Sequence, residues 1–218
     1  MDRLSVSART GDKESKSRLE ILERVKKVLN DGQPARKSSV PLAELAPFML
    51  LTAKPVLYLG NVDENVTEKG KEFVRKLAEF SEARGAKWLA ISGKIESEIA
   101  QITDPAEKAS FREALGIKET GLEKLIRESY KMLGLVTFLT AGPTETRAWT
   151  VTAENTAVQA AGRIHSDIAK GLIRAEVYRY EDMDRLGSEK ALQEKGLRRS
   201  EGKEYCVKDG DVCYFHFR

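Results

Sequence analysis

Asn61 and Glu64 stand three residues apart, just after the apolar run Val56-Leu57-Tyr58-Leu59. About thirty residues on, a second apolar run, KWLAI at 87–91, leads into Ser92-Gly93-Lys94. In open α/β sheets, ligands sit outside the carboxyl ends of strands. An amide, a carboxylate, a hydroxyl and an ammonium at two such ends can therefore bind a polar ligand through hydrogen bonds. Each also has a plainer reading. Glu64 would favour the start of a following helix, and Ser92 would cap the helix after it. No serine lies near His165 or His216 in an elbow pattern, so nucleophilic hydrolysis has no support. Cys206, Cys213 and His216 give three metal ligands at best, in no zinc spacing. If Asp209-Gly210 is a two-residue turn, Cys206 and Cys213 face each other across a hairpin and Lys208 pairs with Asp211. Trp88 and Trp149 sit in apolar runs and read as core.

The elements that must position these groups are legible in outline. Leu19, Leu22, Val25 and Leu29 mark a helix over 12–30, which stops at Asp31-Gly32. With 1–8 as a short opposite arm and a turn near Thr10-Gly11-Asp12, it reads as a truncated helical hairpin. A strand at 56–61, a helix at 67–84 with Thr67 as N-cap and Gly85 as stop, and a strand at 87–91 form a βαβ unit, which implies a parallel sheet. Continuous apolar runs suit strands buried on both faces. Helices follow at 92–101, from Asp104-Pro105, and at 119–133, where Leu122, Leu125, Ile126, Tyr130 and Leu133 share a face. After Gly134 the pattern becomes strands at 136–140 and 147–151, a helix at 156–170 stopped by Gly171, and strands at 172–180, 205–207 and 212–217. That order is the order of a small β-grasp (ubiquitin-like) domain.

The chain carries 37 Lys/Arg against 34 Asp/Glu, is 41% hydrophobic and 33% charged, and has two cysteines. This composition supports a packed core, excludes wholesale disorder and makes no disulfide scaffold. No window approaches a membrane span, and the N-terminus lacks the apolar run of a signal peptide, so a cytoplasmic protein is expected. Residues 1–37 hold ten Lys/Arg against six Asp/Glu. That excess hints at an anionic partner such as RNA, or is a solvated helix face.

The tetrapeptide Asn61-Val62-Asp63-Glu64 resembles the base-reading N-K-x-D motif of P-loop GTPases, with Val62 in place of the Lys and Glu64 in place of the Asp. The loss of the lysine stem and the longer acid spoil the guanine fit and leave adenine open. Ser92-Gly93-Lys94 resembles the short loop that closes over the base in the same superfamily. Together with VLYLGNVDEN, TAGPTETRAWTV, AAGRIHSDIAKGLIRAEV and EGKEYCVKDGD, these stretches make nearly the whole chain resemble the YchF-type (Obg-like) ATPases. The resemblance implies an α/β partial P-loop G domain with a truncated helical-hairpin (coiled-coil) arm, followed by a β-grasp TGS domain. The divisions are 1–37, 38–134 and 135–218. It also implies binding of ATP or ADP in preference to GTP, and association with the ribosome or its RNA. Asn61, Val62, Glu64, Ser92, Gly93 and Lys94 become base contacts. Arg163, His165, Lys170 and Arg174 become candidate RNA or ribosome contacts, although the neutral net charge of 135–218 argues against a strong electrostatic footprint. Neither a membrane nor DNA is expected as a partner.

No G-x-x-x-x-G-K-[ST] loop occurs: Gly70-Lys71, Gly93-Lys94 and Gly202-Lys203 are followed by Glu72, Ile95 and Glu204. Nothing then cradles phosphates or places a hydroxyl on Mg²⁺. The chain reads as the C-terminal part of such an ATPase, inactive in hydrolysis alone, with Mg²⁺ expected only alongside an N-terminal segment. The partial sheet would expose an edge and favour association. The competing class is a non-catalytic TGS-based ribosome- or RNA-binding module that takes no nucleotide.

Overall fold

The computed structural model describes residues 12–64, 68–142 and 145–218. The chain divides into two compact units, Met1–Leu122 and Glu123–Arg218. The division falls inside a helix, upstream of the expected cut at Gly134.

The first unit opens with helix α1 (Lys13–Asn30), whose N-cap Asp12 accepts from the Glu14 and Ser15 N–H groups. The proposed opposite arm at 1–8 and the turn through Thr10 and Gly11 lie outside the described residues. The middle of the apolar stripe of α1 is covered by the segment that follows it, while Leu29 stays 43% exposed. Val25 joins Ala35, Val40, Leu45 and Ala53 in a small core that includes the short helix α2 (Leu42–Leu45). Strand β1 (Leu57–Asn61), helix α3 (Glu68–Glu82) and strand β2 (Lys87–Ile91) then form the expected parallel βαβ unit, in register from Leu57↔Lys87 to Asn61↔Ile91. Helix α3 packs closely on one face because Gly60 has no side chain there: a Cβ would meet Leu77 at 2.7 Å. Tyr58 meets Phe80 edge-on, with ring centroids 5.3 Å apart. The expectation of strands buried on both faces is corrected here. Among the described residues this sheet has two strands, and Leu59, which points away from α3, is 45% exposed. The proposed N-cap Thr67 lies outside the described residues.

Three helices follow: α4 (Gly93–Gln101), α5 (Pro105–Ala114) and α6 (Gly121–Met132). Asp104 caps α5 by accepting from the Glu107 N–H at 2.8 Å. The apolar stripe expected on 119–133 exists, but Leu122, Ile126 and Leu133 are each about half exposed. Periodicity specified the face and not what covers it.

The second unit is a five-stranded sheet in the order β4-β3-β7-β5-β6. Its strands are β3 (Leu135–Ala141), β4 (Thr146–Thr152), β5 (Leu172–Arg179), β6 (Arg199–Glu201) and β7 (Asp211–Phe217). The pairs β3/β4, β5/β7 and β5/β6 run antiparallel, while β3 and β7 run parallel at the centre. Phe138, Val177 and Phe215 point to one face, where α7 (Ala157–Ile164) and α8 (Ser166–Gly171) close the core through Ala157, Ala160, Ala161 and Ile168. Trp149 packs on this core and donates its indole N–H to Thr140 at 2.9 Å.

Several expectations for this unit are corrected. The single helix over 156–170 is broken at His165, whose extended backbone (φ −160°, ψ 142°) ends α7 and starts α8. The expected strand 172–180 ends at Arg179, and residues 180–198 contain two short helices not expected from the sequence, α9 (Tyr180–Leu186) and α10 (Glu189–Glu194). They cover Tyr178, Val212 and Leu139 through Met183, Leu186 and Leu192. Residues 205–207 make only an isolated bridge, Thr156↔Cys206, and not a strand beside β7. Asp209-Gly210 is therefore not a hairpin turn. It docks on β3, with the Thr137 N–H donating to Asp209 at 2.7 Å and the Gly210 N–H donating to the Thr137 carbonyl at 2.9 Å. Cys213 is buried opposite Val177 and Cys206 is exposed, both as free thiols. Burial pushes the Cys213 thiol up to about 12. Lys208 gives its backbone N–H to Asp211 at 2.9 Å in place of the expected cross-strand ion pair.

Candidate functional site

Parallel pairing brings the carboxyl ends of β1 and β2 side by side, and the Val62 N–H extends the ladder to the Ile91 carbonyl at 2.9 Å. The two sequence-derived clusters meet there. Asn61 Oδ1 accepts the Gly93 N–H at 2.9 Å across the strand ends. A Cβ on Gly93 would stand 3.1 Å from that oxygen, tighter than an ordinary contact, which is a specific reason for glycine at this place. Ser92 caps α4, its hydroxyl accepting from the Ile95 N–H at 3.4 Å. The Lys94 ammonium closes on Oε1 of Glu64 and raises its own pKa through that hydrogen bond. Glu98, one turn along α4, lies 4.0 Å from the same ammonium.

Asn61, Glu64, Gly93 and Lys94 are thus linked directly, and Val62 and Ser92 are held beside them by backbone and cap. The Asn61 amide thus commits its oxygen to Gly93. The Gly93 N–H is likewise engaged in this contact. At the α4 N-terminus the first-turn N–H groups have no intrahelical acceptors. Gly93 and Ile95 find theirs in Asn61 and Ser92.

One residue of the site was missed. The Glu96 carboxylate accepts from the Gly121 N–H at 2.6 Å and the Leu122 N–H at 3.2 Å, capping α6 from α4. Gly121 also lies against Ile91 at the end of β2, where an added Cβ would meet Ile91 at 2.5 Å. Glu96 therefore ties the strand end to the start of α6. The only signal in the sequence was a carboxylate in the first turn of α4, which reads equally as a helix-dipole partner.

The second candidate set does not converge. His165 accepts the Asp167 N–H at 3.2 Å through Nδ1. Lys170 lies 3.6 Å from the same Asp167 carboxylate, and Arg163 is exposed on α7. These three belong to the helical layer. Arg174 is paired with His216 in register, one position from the core pair Ala175↔Phe215, so it projects from the opposite face of the sheet. It binds Glu176 at 2.8 Å and stands 3.5 Å from His216. Glu176 also meets Arg198 and His216, and the Arg174 hydrogen bond foremost holds its carboxyl below the usual value.

Among the described residues no group of three or more His, Cys, Asp or Glu could hold a metal ion, and no helix is long and apolar enough to cross a membrane.

A parallel βαβ unit whose polar side chains gather at adjacent strand ends, followed by a five-stranded mixed sheet, defines an α/β protein. Residues 135–218 match the family model YchF-GTPase_C, described as a protein of unknown function. The chain is 43% identical over 222 residues to the "Ribosome-binding ATPase YchF" of Bacillus subtilis (strain 168), covering 99% of this chain and 60% of that protein. It is 41% identical to the protein of the same name from Haemophilus influenzae, covering 100% of this chain and 60% of the relative. The solved YchF GTPase of Schizosaccharomyces pombe is similar with a TM-score of 0.76 at 29% identity, over 94% of this chain and 55% of that one. The chain belongs to the YchF family and spans about 60% of the length of the bacterial relatives it matches.

Proposed function

We propose that this chain is the base-recognition and C-terminal part of a cytoplasmic, ribosome-associated YchF-type ATPase that takes ATP in preference to GTP. The observation that carries the reading is the meeting of Asn61, Glu64, Gly93 and Lys94 at the carboxyl ends of two parallel strands. In this reading the Asn61 NH₂ group and the Glu64 carboxylate read the edge of adenine. Val62 and the 92–94 turn flank the base. Mg²⁺ and the phosphates belong to a phosphate-binding loop, for which these residues offer no ligands, and no step is assigned to them. Residues 135–218 are a TGS-type β-grasp domain. The sheet order, with one parallel pair at its centre, antiparallel pairs outside it, and α7 and α8 closing the main core on one face, supports that assignment. Residues 12–30 are one arm of a coiled-coil hairpin. The ribosomal partner comes from the names of the relatives. Contacts there through Arg163, His165 and Lys170 on the helical layer form one surface, and Arg174 belongs to another.

Isothermal titration of the chain with ATP, ADP and GTP tests the base site. ATP and ADP should bind, and Glu64→Ala should weaken both about tenfold or more, as expected for loss of a charged acceptor. Absence of nucleotide binding, with ribosome co-sedimentation retained, would favour the non-catalytic module.

A further inference from the structure

The Glu64–Lys94 pair bears on which base the site accepts, and it rests on the base-site reading above. Lys94 extends from the residue after Gly93, whose N–H is fixed to Asn61 at 2.9 Å. The ammonium therefore starts from an anchored backbone and occupies one oxygen of the Glu64 carboxylate. Glu64 remains partly exposed, so the rest of the carboxylate faces solvent. An ionised carboxylate with both oxygens free is matched to guanine, which offers it two neighbouring donors, N1–H and the N2 amino group. Adenine offers one exocyclic donor, the N6 amino group, beside the acceptor N1. Both bases present an acceptor that the ammonium could meet, O6 in guanine and N1 in adenine. Discrimination therefore falls on how many donors Glu64 can satisfy. With Oε1 already accepting from Lys94, the second guanine donor must share that oxygen with the ammonium or displace it, so one of its two hydrogen bonds is weakened.

We infer that Lys94 is a specificity-determining residue of the base site: by holding one oxygen of Glu64, it leaves the carboxylate matched to the single donor of adenine and mismatched to the two of guanine. The test is the ratio of GTP to ATP dissociation constants for the full chain, for Lys94→Met and for Lys94→Arg. Methionine keeps a similar aliphatic length without the charge, and arginine keeps the charge. Loss of one positive charge affects both triphosphates alike, so the ratio isolates the base. Adenosine and guanosine, titrated in parallel, remove the phosphates altogether. Lys94→Met should lower the guanine-to-adenine ratio about three- to tenfold, chiefly by tighter guanine binding, with Lys94→Arg near the parent. A parent that binds ATP while Lys94→Met leaves the ratio unchanged, or raises it, overturns the inference and leaves the base site standing. Absence of binding by the parent to any of the four probes overturns both.

Discussion

Glu176 shows what single side chains contribute away from the candidate base site. Its carboxylate is 19% exposed and faces Arg174 from its own strand, His216 from β7 and Arg198 from the segment before β6. Three cationic or potentially cationic partners around one acid make a network, and networks outlast the weak average of single surface pairs. The Arg174 hydrogen bond, opposed by desolvation and helped by Arg198 and His216, lowers the folded carboxyl pKa below its ordinary 4.5. A depressed folded pKa contributes stability that is present above the unfolded value and lost as pH falls through the folded one. Glu176→Gln should therefore cost about 1–2 kcal/mol at pH 7. The difference from the parent should shrink as the pH drops through the carboxyl range. Thermal unfolding of both proteins between pH 7 and pH 3 measures it, and a pH-independent difference would show that Glu176 acts through packing alone. Asp211 is fully buried, accepting from the Tyr205 hydroxyl at 2.8 Å and lying 3.6 Å from Arg179. Burial foremost, and then Asp211, pushes the Tyr205 phenol up to about 12.

At the scale of elements, the junction of β2, α4 and α6 rests on Gly121. A helical glycine replaced by alanine ordinarily gains about 0.5–1 kcal/mol. Here the new Cβ would meet Ile91 at 2.5 Å and Glu96 at 2.9 Å, so the helix start must shift away from its carboxylate cap. Overpacking of this kind costs about 1–3 kcal/mol, which outweighs the propensity gain. Gly121→Ala should lower the urea midpoint, and a raised midpoint would mean that α6 is free to move. Such junctions separate what was legible from what was not. Caps are local, so Ser92 and Asp104 could be read from a few residues, and both accept as expected. The strands β1 and β2 and their parallel pairing followed from short apolar runs around one helix. The break at His165 was hidden because α7 and α8 share a continuous helical pattern, and only the backbone of one residue departs from it. Strand β6 has three residues, too few for any period. The Asp209-Gly210 turn carried a hairpin signal, but a long-range contact with Thr137 decided its use. At the candidate base site, residue types and strand ends were legible, whereas the commitment of the Gly93 N–H to Asn61 and of Lys94 to Glu64 needed coordinates.

The whole molecule divides its stability unevenly. The second unit has a contiguous core built on Phe138, Leu172, Val177 and Phe215 beneath two helices. The described part of the first unit has the smaller cluster around Val25 and Leu45, and a two-stranded sheet whose Leu59 face is open. Two strands alone are marginal in water, and local opening follows sparse burial. Amide hydrogen exchange should therefore be faster in β1 and β2 than in β3, β5 and β7, by a hundredfold or more if their opening energies differ by about 3 kcal/mol. The candidate base site sits on the less stable unit, so a ligand there binds the folded form and suppresses its opening. Saturating ATP should slow exchange at the ends of β1 and β2 and in the first turn of α4, while leaving β5 and β7 unchanged. Equal exchange in the two sheets of the free chain would refute the stability difference. Protection of the second unit alone by ATP would move the nucleotide site away from Asn61 and Glu64.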